Sequence, residues 1–131
     1  MTTDVVTFRL PLVVASITNR REHWSARHRR ARAERDCARL LTPPQCRKWL
    51  EAPGVTPVTI HVSMYRVSER RLDDDNLVGS MKSVRDGVAD ALRLRNDADP
   101  RVTWIYGQRA PDQKCGEKSA CVTVTIVRYS R

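Results

Sequence analysis

Pro57-Val58-Thr59-Ile60-His61-Val62-Ser63-Met64-Tyr65-Arg66 runs, past Val67-Ser68-Glu69, into Arg70-Arg71-Leu72-Asp73-Asp74-Asp75-Asn76-Leu77. In the first stretch Val58, Ile60, Val62 and Met64 alternate with Thr59, His61, Ser63 and Tyr65, the period-two pattern of a half-buried strand. Behind the second, Leu77, Met81, Val84, Val88 and Ala91 recur at helical spacing, which predicts an amphipathic helix over Asn76–Leu94. The acidic run therefore stands where a strand hands over to a helix.

Outward from this unit, Val5-Val6-Thr7-Phe8-Arg9-Leu10 reads as a strand ended by Pro11. Asn19 to Leu41 has neither proline nor glycine and is predicted helical. Thr42-Pro43-Pro44 stops it; Thr42 is expected to cap a short second helix anchored by Trp49-Leu50 and closed at Ala52-Pro53-Gly54. Val102, Trp104 and Tyr106 mark a third strand, and Cys121 to Arg128 a fourth. Ala110 to Ser119 reads as a mobile charged loop. The order β-α-β-α-β-β predicts an α/β (α+β) fold, a mixed sheet with helices packed on it, as one domain over residues 1–131.

Lys+Arg number 24 against Asp+Glu 15, giving a net charge of +9 and a pI near 10.1. Such a balance points to nucleic acid or an anionic surface as partner. No apolar run approaches a membrane span, and the start Met1-Thr2-Thr3-Asp4 lacks a signal-peptide layout. A cytoplasmic protein of a bacterial or phage-infected cell is expected. Cys37, Cys46, Cys115 and Cys121 form no C-x-x-C pair, so reduced, partly buried thiols are expected rather than zinc ligands or disulfides.

Residues 20–39 hold eight arginines against three acids. Phosphate tracking without base readout is the expected role, with Trp24 and His28 as stacking partners. Arg20, Arg21, Arg27, Arg29 and Arg30 are the candidate DNA contacts there, joined by Arg70 and Arg71 beside the acids. His23, His28 and His61 show no catalytic spacing.

Three adjacent carboxylates repel one another. They can serve as helix caps, with negative charge at the positive end of the helix dipole. They can also bind Mg²⁺, which takes one or two carboxylates plus substrate phosphates. At 100° per residue Asp75, Gly79, Lys82 and Asp86 fall on one helix face, where Lys82 and Asp86 can form an ordinary i,i+4 pair. The turn Asn96-Asp97-Ala98-Asp99-Pro100 adds carboxylates at the helix's far end, roughly 27 Å away at 1.5 Å per residue. Asp97 can meet Asp75 only if that turn folds back or a second subunit supplies it.

The segment Arg71-Leu72-Asp73-Asp74-Asp75-Asn76-Leu77, then Lys82, Asp86 and Asn96-Asp97-Ala98, resembles the RusA family of Holliday junction resolvases, especially its phage-borne members. The specific motif spans residues 71–99; Leu10-Pro11 and Asn19-Arg20 extend it weakly. By resemblance, Asp73, Asp75 and Asp97 match the metal-holding aspartates and Lys82 the lysine needed for cleavage, with Asp86 and Asp99 as accessory acids. The lysine stands six residues after Asn76 instead of three, and Asn96 replaces the first acid of the Asp-Asp-Ala turn.

What the resemblance implies is an endodeoxyribonuclease that resolves four-way DNA junctions in recombination and repair. It would use Mg²⁺, with Mn²⁺ as a substitute, as a homodimer without a small-molecule cofactor or membrane partner. Two other readings stay open: a non-catalytic basic DNA-binding protein whose aspartates only cap a helix, and a nuclease for flaps or forks.

Overall fold

A computed structural model of the chain describes residues 2–14, 23–51, 58–117 and 120–130. The expected turn at 52–54, Asn19 and the candidate contacts Arg20 and Arg21 lie outside the described residues. The elements are β1 (Thr2–Leu10), α1 (Trp24–Leu41), α2 (Pro44–Glu51), β2 (Val58–Val67), α3 (Asp74–Ser80), α4 (Lys82–Ala91), β3 (Val102–Arg109) and β4 (Cys121–Ser130). The strands form one mixed sheet in the order β1-β4-β2-β3, so the described residues make an α+β domain. β4 runs antiparallel to both β1 and β2, while β2 and β3 are parallel. Parallel neighbours need a crossover connection, and α3 with α4 provides it. Among the described residues no helix is long and apolar enough to cross a membrane.

Strand alternation decides what is buried. Ile60, Val62, Met64, Val122, Val124 and Ile126 are fully buried on the face that meets the helices, with Met81, Val84, Val88 and Leu92 packed against them. The row Leu10, Val122, Arg66 and Gln108 crosses all four strands on this face, so two of its four positions are polar. On the opposite face Thr3, Val5 and Thr7 of β1 lie level with Tyr129, Val127 and Thr125 of β4. Beyond β4, Thr59, His61, Ser63 and Tyr65 of β2 precede Thr103, Ile105 and Gly107 of β3. None of these residues carries a formal charge, in a chain that is 30% charged; the next positions on this face, Arg9 of β1 and Arg109 of β3, are arginines that pair with Glu117.

The helix expected over 76–94 is two helices. Ser80 Oγ donates to the Leu77 carbonyl at 2.7 Å, which turns the Met81 N–H to Val78 O at 3.2 Å. Met81 sits at φ −93°, ψ −1°. Gly79-Ser80 is the cause, since a serine bonding back to the preceding turn next to a glycine is a common helix-breaking pair. The far end closes as a Schellman motif: Leu94 N–H bonds Ala89 O and Arg93 N–H bonds Asp90 O, both at 3.0 Å. Arg93 takes the left-handed position, φ 56°, that glycine usually fills.

Thr42 does not cap α2. Its Oγ1 donates to Ala38 O at 2.7 Å and so closes α1, while α2 begins at Pro44. The described part of the 110–119 loop is tied down rather than loose. Glu117 is 2% exposed, takes a two-point bond from Arg109 and accepts the Asp112 N–H at 3.1 Å. Cys37, Cys46 and Cys121 are free thiols, as expected, and burial pushes the Cys46 thiol up to about 11.

α1 and α4 lie side by side and parallel. Arg35 forks onto Asp90 at 2.6 and 2.9 Å, and one groove of about 380 Å³ takes His28, Ala31 and Arg32 on one wall and Ser83 and Asp86 on the other. Both indices rise together along the contact. The helices touch at Gly87, where a Cβ would come within 2.3 Å of Arg35 O. Trp24, one turn before His28, thus stands at the end of α4 that joins α3.

Candidate active site

The two polar residues of the inward row hold the backbone that carries the acids. Arg66 is 6% exposed; it donates to Val14 O at 2.9 Å and to Arg70 O, and burial pulls its guanidinium below the usual range. Gln108 grips Leu72 at both its N–H and its carbonyl. Ser68 N–H bonds Arg109 O at 3.0 Å. Buried polar groups need such partners, and here the partners are the main chain at Arg70 and Leu72, together with Val14 O. Sequence reading passed over both residues, although the signal was present: each is polar in phase with the buried positions of its strand.

Asp73 is the N-cap residue of α3, though its side chain makes no capping bond; Asp74 and Asp75 follow in the first turn. The cap position thus falls to Asp73, one of the two aspartates of this run that the RusA resemblance assigns to the metal. All three side chains are exposed. Among the described residues, the acids Asp4, Glu34, Asp36, Glu51, Asp86, Asp90, Asp97, Asp99 and Glu117 each have a basic partner. Asp112 caps the turn at Lys114. The acids whose side chains have no hydrogen bond or ion pair among the described residues are Glu69, Asp73, Asp74 and Asp75, a single run of chain beside the exposed Arg70 and Arg71.

Lys82 is exposed and pairs with Asp86 at 3.5 Å, the ordinary i,i+4 contact. The break at Met81 separates it from Asp75, so a face counted at a uniform 100° per residue does not run through both. Asp97 is brought back as far as the first turn of α4. Arg85 Nε lies 2.9 Å from Asp97 Oδ2 as an ion pair, without a bond directed along the N–H. Arg85 Nη2 and Trp104 Nε1 both donate to Asp97 O, at 3.1 and 2.8 Å. Arg85 Nη1 also donates to Tyr106 Oη, and its guanidinium lies 4.9 Å from the Trp104 ring centre. Ten residues and the break at Met81 still separate Arg85 from Asp75. Asp99 forks onto Arg101, whose hydrogen bonds hold its carboxyl below the usual carboxylate range.

Among the described residues of one chain, no three His, Cys, Asp or Glu side chains come together as a metal cluster. Asp73 and Asp75 fit the hard-oxygen, two-carboxylate part of a Mg²⁺ site, because they are exposed and uncommitted. Asp97 and Asp99 are committed to arginines. Of the candidate DNA contacts, Arg27, Arg29, Arg70 and Arg71 are exposed, while Arg30 pairs with the buried Glu34 at 3.6 Å.

No family model matches the chain. A protein of Xylella fastidiosa (strain Temecula1 / ATCC 700964), described as an uncharacterized protein, is 31% identical to it over 76 residues. That alignment takes in 58% of this chain and 50% of the relative, so the chain spans about half the length of the curated relative it matches.

Proposed function

We propose that the chain is a Mg²⁺-dependent endodeoxyribonuclease for branched DNA, with the four-way junction as its first substrate and the RusA family as its kin. The observation that carries this reading is the placement of the uncommitted acids. In a chain with more cations than acids, an unpaired carboxylate is unexpected, and the ones unpaired among the described residues stand together on a backbone pinned by Arg66 and Gln108. A divalent ion held by Asp73 and Asp75 would supply an activated water and stabilise charge on the scissile phosphate. Arg70 and Arg71 flank that position and can hold the neighbouring phosphates, while Arg27 and Arg29 track the backbone without reading bases. Lys82 reaches a phosphate by exchanging Asp86 for it. Asp97 is held on Arg85, and would join the metal only by leaving that arginine.

Two opposed nicks on a two-fold substrate suit a C₂ homodimer. The uncharged stretch of the outer sheet face, from Thr3 to Thr7 across to Thr103 to Gly107, supports one, because two chains of net charge +9 repel wherever their cations meet.

A second reading has its own support. Asp73 at the cap and Asp74 and Asp75 in the first turn complement the α3 dipole with no metal at all, as in a DNA-binding protein that does not cut. The test is cleavage of a synthetic four-way junction with Mg²⁺ by wild type and Asp75→Asn, beside flap and fork substrates. The variant is expected to bind and not cut. Equal cutting by both proteins removes the metal site, and tight binding without cutting by wild type favours the second reading. Faster cutting of flaps or forks reassigns the substrate.

A further inference from the structure

We infer that the head of α1 is a nucleobase-stacking site, in which Trp24 takes a base unstacked at the branch and Arg27 holds that nucleotide's phosphate. The inference rests on the DNA-processing reading and adds what selects branched over continuous DNA. Trp24 is 73% exposed, the highest value among the exposed large apolar side chains. A tryptophan serving the core would be largely covered. Its ring is steadied by His23, with centres 5.6 Å apart and planes tilted by 35°. His23 is itself fixed, since its Nδ1 accepts the Ser25 N–H at 3.2 Å and lies 2.7 Å from Ser25 Oγ.

Among the described residues, the charged side chains nearest this ring along the chain are basic. The first turn of α1 contains no acid, and Arg27 and His28, one turn on from Trp24, are exposed without an acidic partner among the described residues. An aromatic face beside unpaired cations is the combination that binds unpaired nucleotides, because every base offers a π-face and every nucleotide a phosphate. Farther along α1 the arginines divide: Arg30, Arg35 and Arg39 are each paired with an acid, while Arg29 and Arg32 are exposed with no acidic partner among the described residues. Position completes the argument. Parallel packing of α1 on α4 sets Trp24 at the α3 end of α4, and α3 begins at the open aspartates. A base held by Trp24 would then lie where α3 meets α4, and a phosphate held at Asp73 and Asp75 at the other end of α3, a helix of seven residues. Continuous duplex keeps its bases stacked and has none to offer, whereas a branch point exposes them.

The experiment measures binding in chelator, so that nothing is cut, to a four-way junction carrying 2-aminopurine at the branch and to a continuous duplex of equal length. Wild type, Trp24→Ala and Trp24→Phe are compared. Wild type is expected to prefer the junction and to quench the 2-aminopurine. Trp24→Ala should lose the quench and about tenfold in junction affinity with duplex affinity unchanged, and Trp24→Phe should restore most of both. Equal melting temperatures establish that the variants are folded. If Trp24→Ala keeps the junction preference and the quench, the stacking site is wrong and the nuclease reading stands. If Trp24→Ala instead changes the sedimentation of the free protein, Trp24 belongs to a protein contact and the inference fails. If wild type shows no preference for the junction, the junction reading falls and this inference with it.

Discussion

Gln108 holds Leu72 at two points: its Oε1 accepts the Leu72 N–H at 2.9 Å and its Nε2 donates to the Leu72 carbonyl at 2.7 Å. The side chain does for the residue before Asp73 what a neighbouring strand would do for one in a sheet. Gln108→Ala removes both bonds and leaves the Leu72 amide and carbonyl to water, a loss of about 1–2 kcal/mol. Denaturant unfolding should show that loss, and Mn²⁺ affinity should fall with it because Asp73 is no longer held in place.

Gly87→Ala should destabilise the protein, although alanine is the better helix former by about 1 kcal/mol. Its Cβ would meet Arg35 O at 2.3 Å and the Ala38 Cβ at 2.7 Å, so α1 must move off α4. Overpacking of this kind costs about 1–3 kcal/mol, and the net change expected in thermal unfolding is a loss. A gain would mean the helices are farther apart than they stand in this structure.

Arg93→Gly should stabilise. The left-handed position costs a side-chain-bearing residue about 1 kcal/mol, which glycine avoids. The contact given up, Arg93 to Glu51 at 3.7 Å, is a surface ion pair of little value. An increase of about 0.5–1 kcal/mol in unfolding free energy is expected after the greater chain entropy of glycine is counted.

Acid should loosen the loop at Glu117. Hydrogen bonds from Arg109 hold its carboxyl down to about 2, against 4.5 for the free group. A depressed folded-state value stabilises above the unfolded value, and the stabilisation is lost as pH falls from about 4.5 through about 2. Wild type should therefore exceed Glu117→Gln in stability at pH 6, and the gap should shrink steadily below pH 4.5. A gap that does not change with pH would show that the Glu117 bonds, rather than its charge, hold the loop.

Thr125→Lys places a cation in the uncharged stretch of the outer sheet face, level with Thr7 and Ser63. If that face joins two copies, sedimentation should shift from dimer to monomer while the monomer's far-ultraviolet circular dichroism stays the same. An unchanged assembly puts the contact elsewhere.

Much of the architecture was readable along the chain. Each of the four strands announces itself by alternation, since the side of the sheet a residue faces depends only on its parity within the strand. The acidic run was placed correctly between strand and helix for the same local reason. The break at Met81 was also written locally, in Gly79-Ser80, but the even spacing of Leu77, Met81, Val84 and Val88 outweighed it. Apolar spacing reports the buried face and says nothing of which carbonyl a serine takes.

Strand order is a different matter. That β4, last in the chain, lies between β1 and β2 depends on which strand edges meet, and no stretch of sequence encodes that by itself. The same holds for the acids. Asp73, Asp75, Asp97 and Asp99 are alike in composition and in their turn or cap setting, yet Asp97 and Asp99 fall beside Arg85 and Arg101 while Asp73 and Asp75 are left open. The sequence by itself determined the elements, the charge and the acidic motif, because these rest on residue type and near-neighbour geometry. Only the tertiary structure decided which carboxylates are free, because a charge is neutralised by whatever the fold brings within a few ångströms of it.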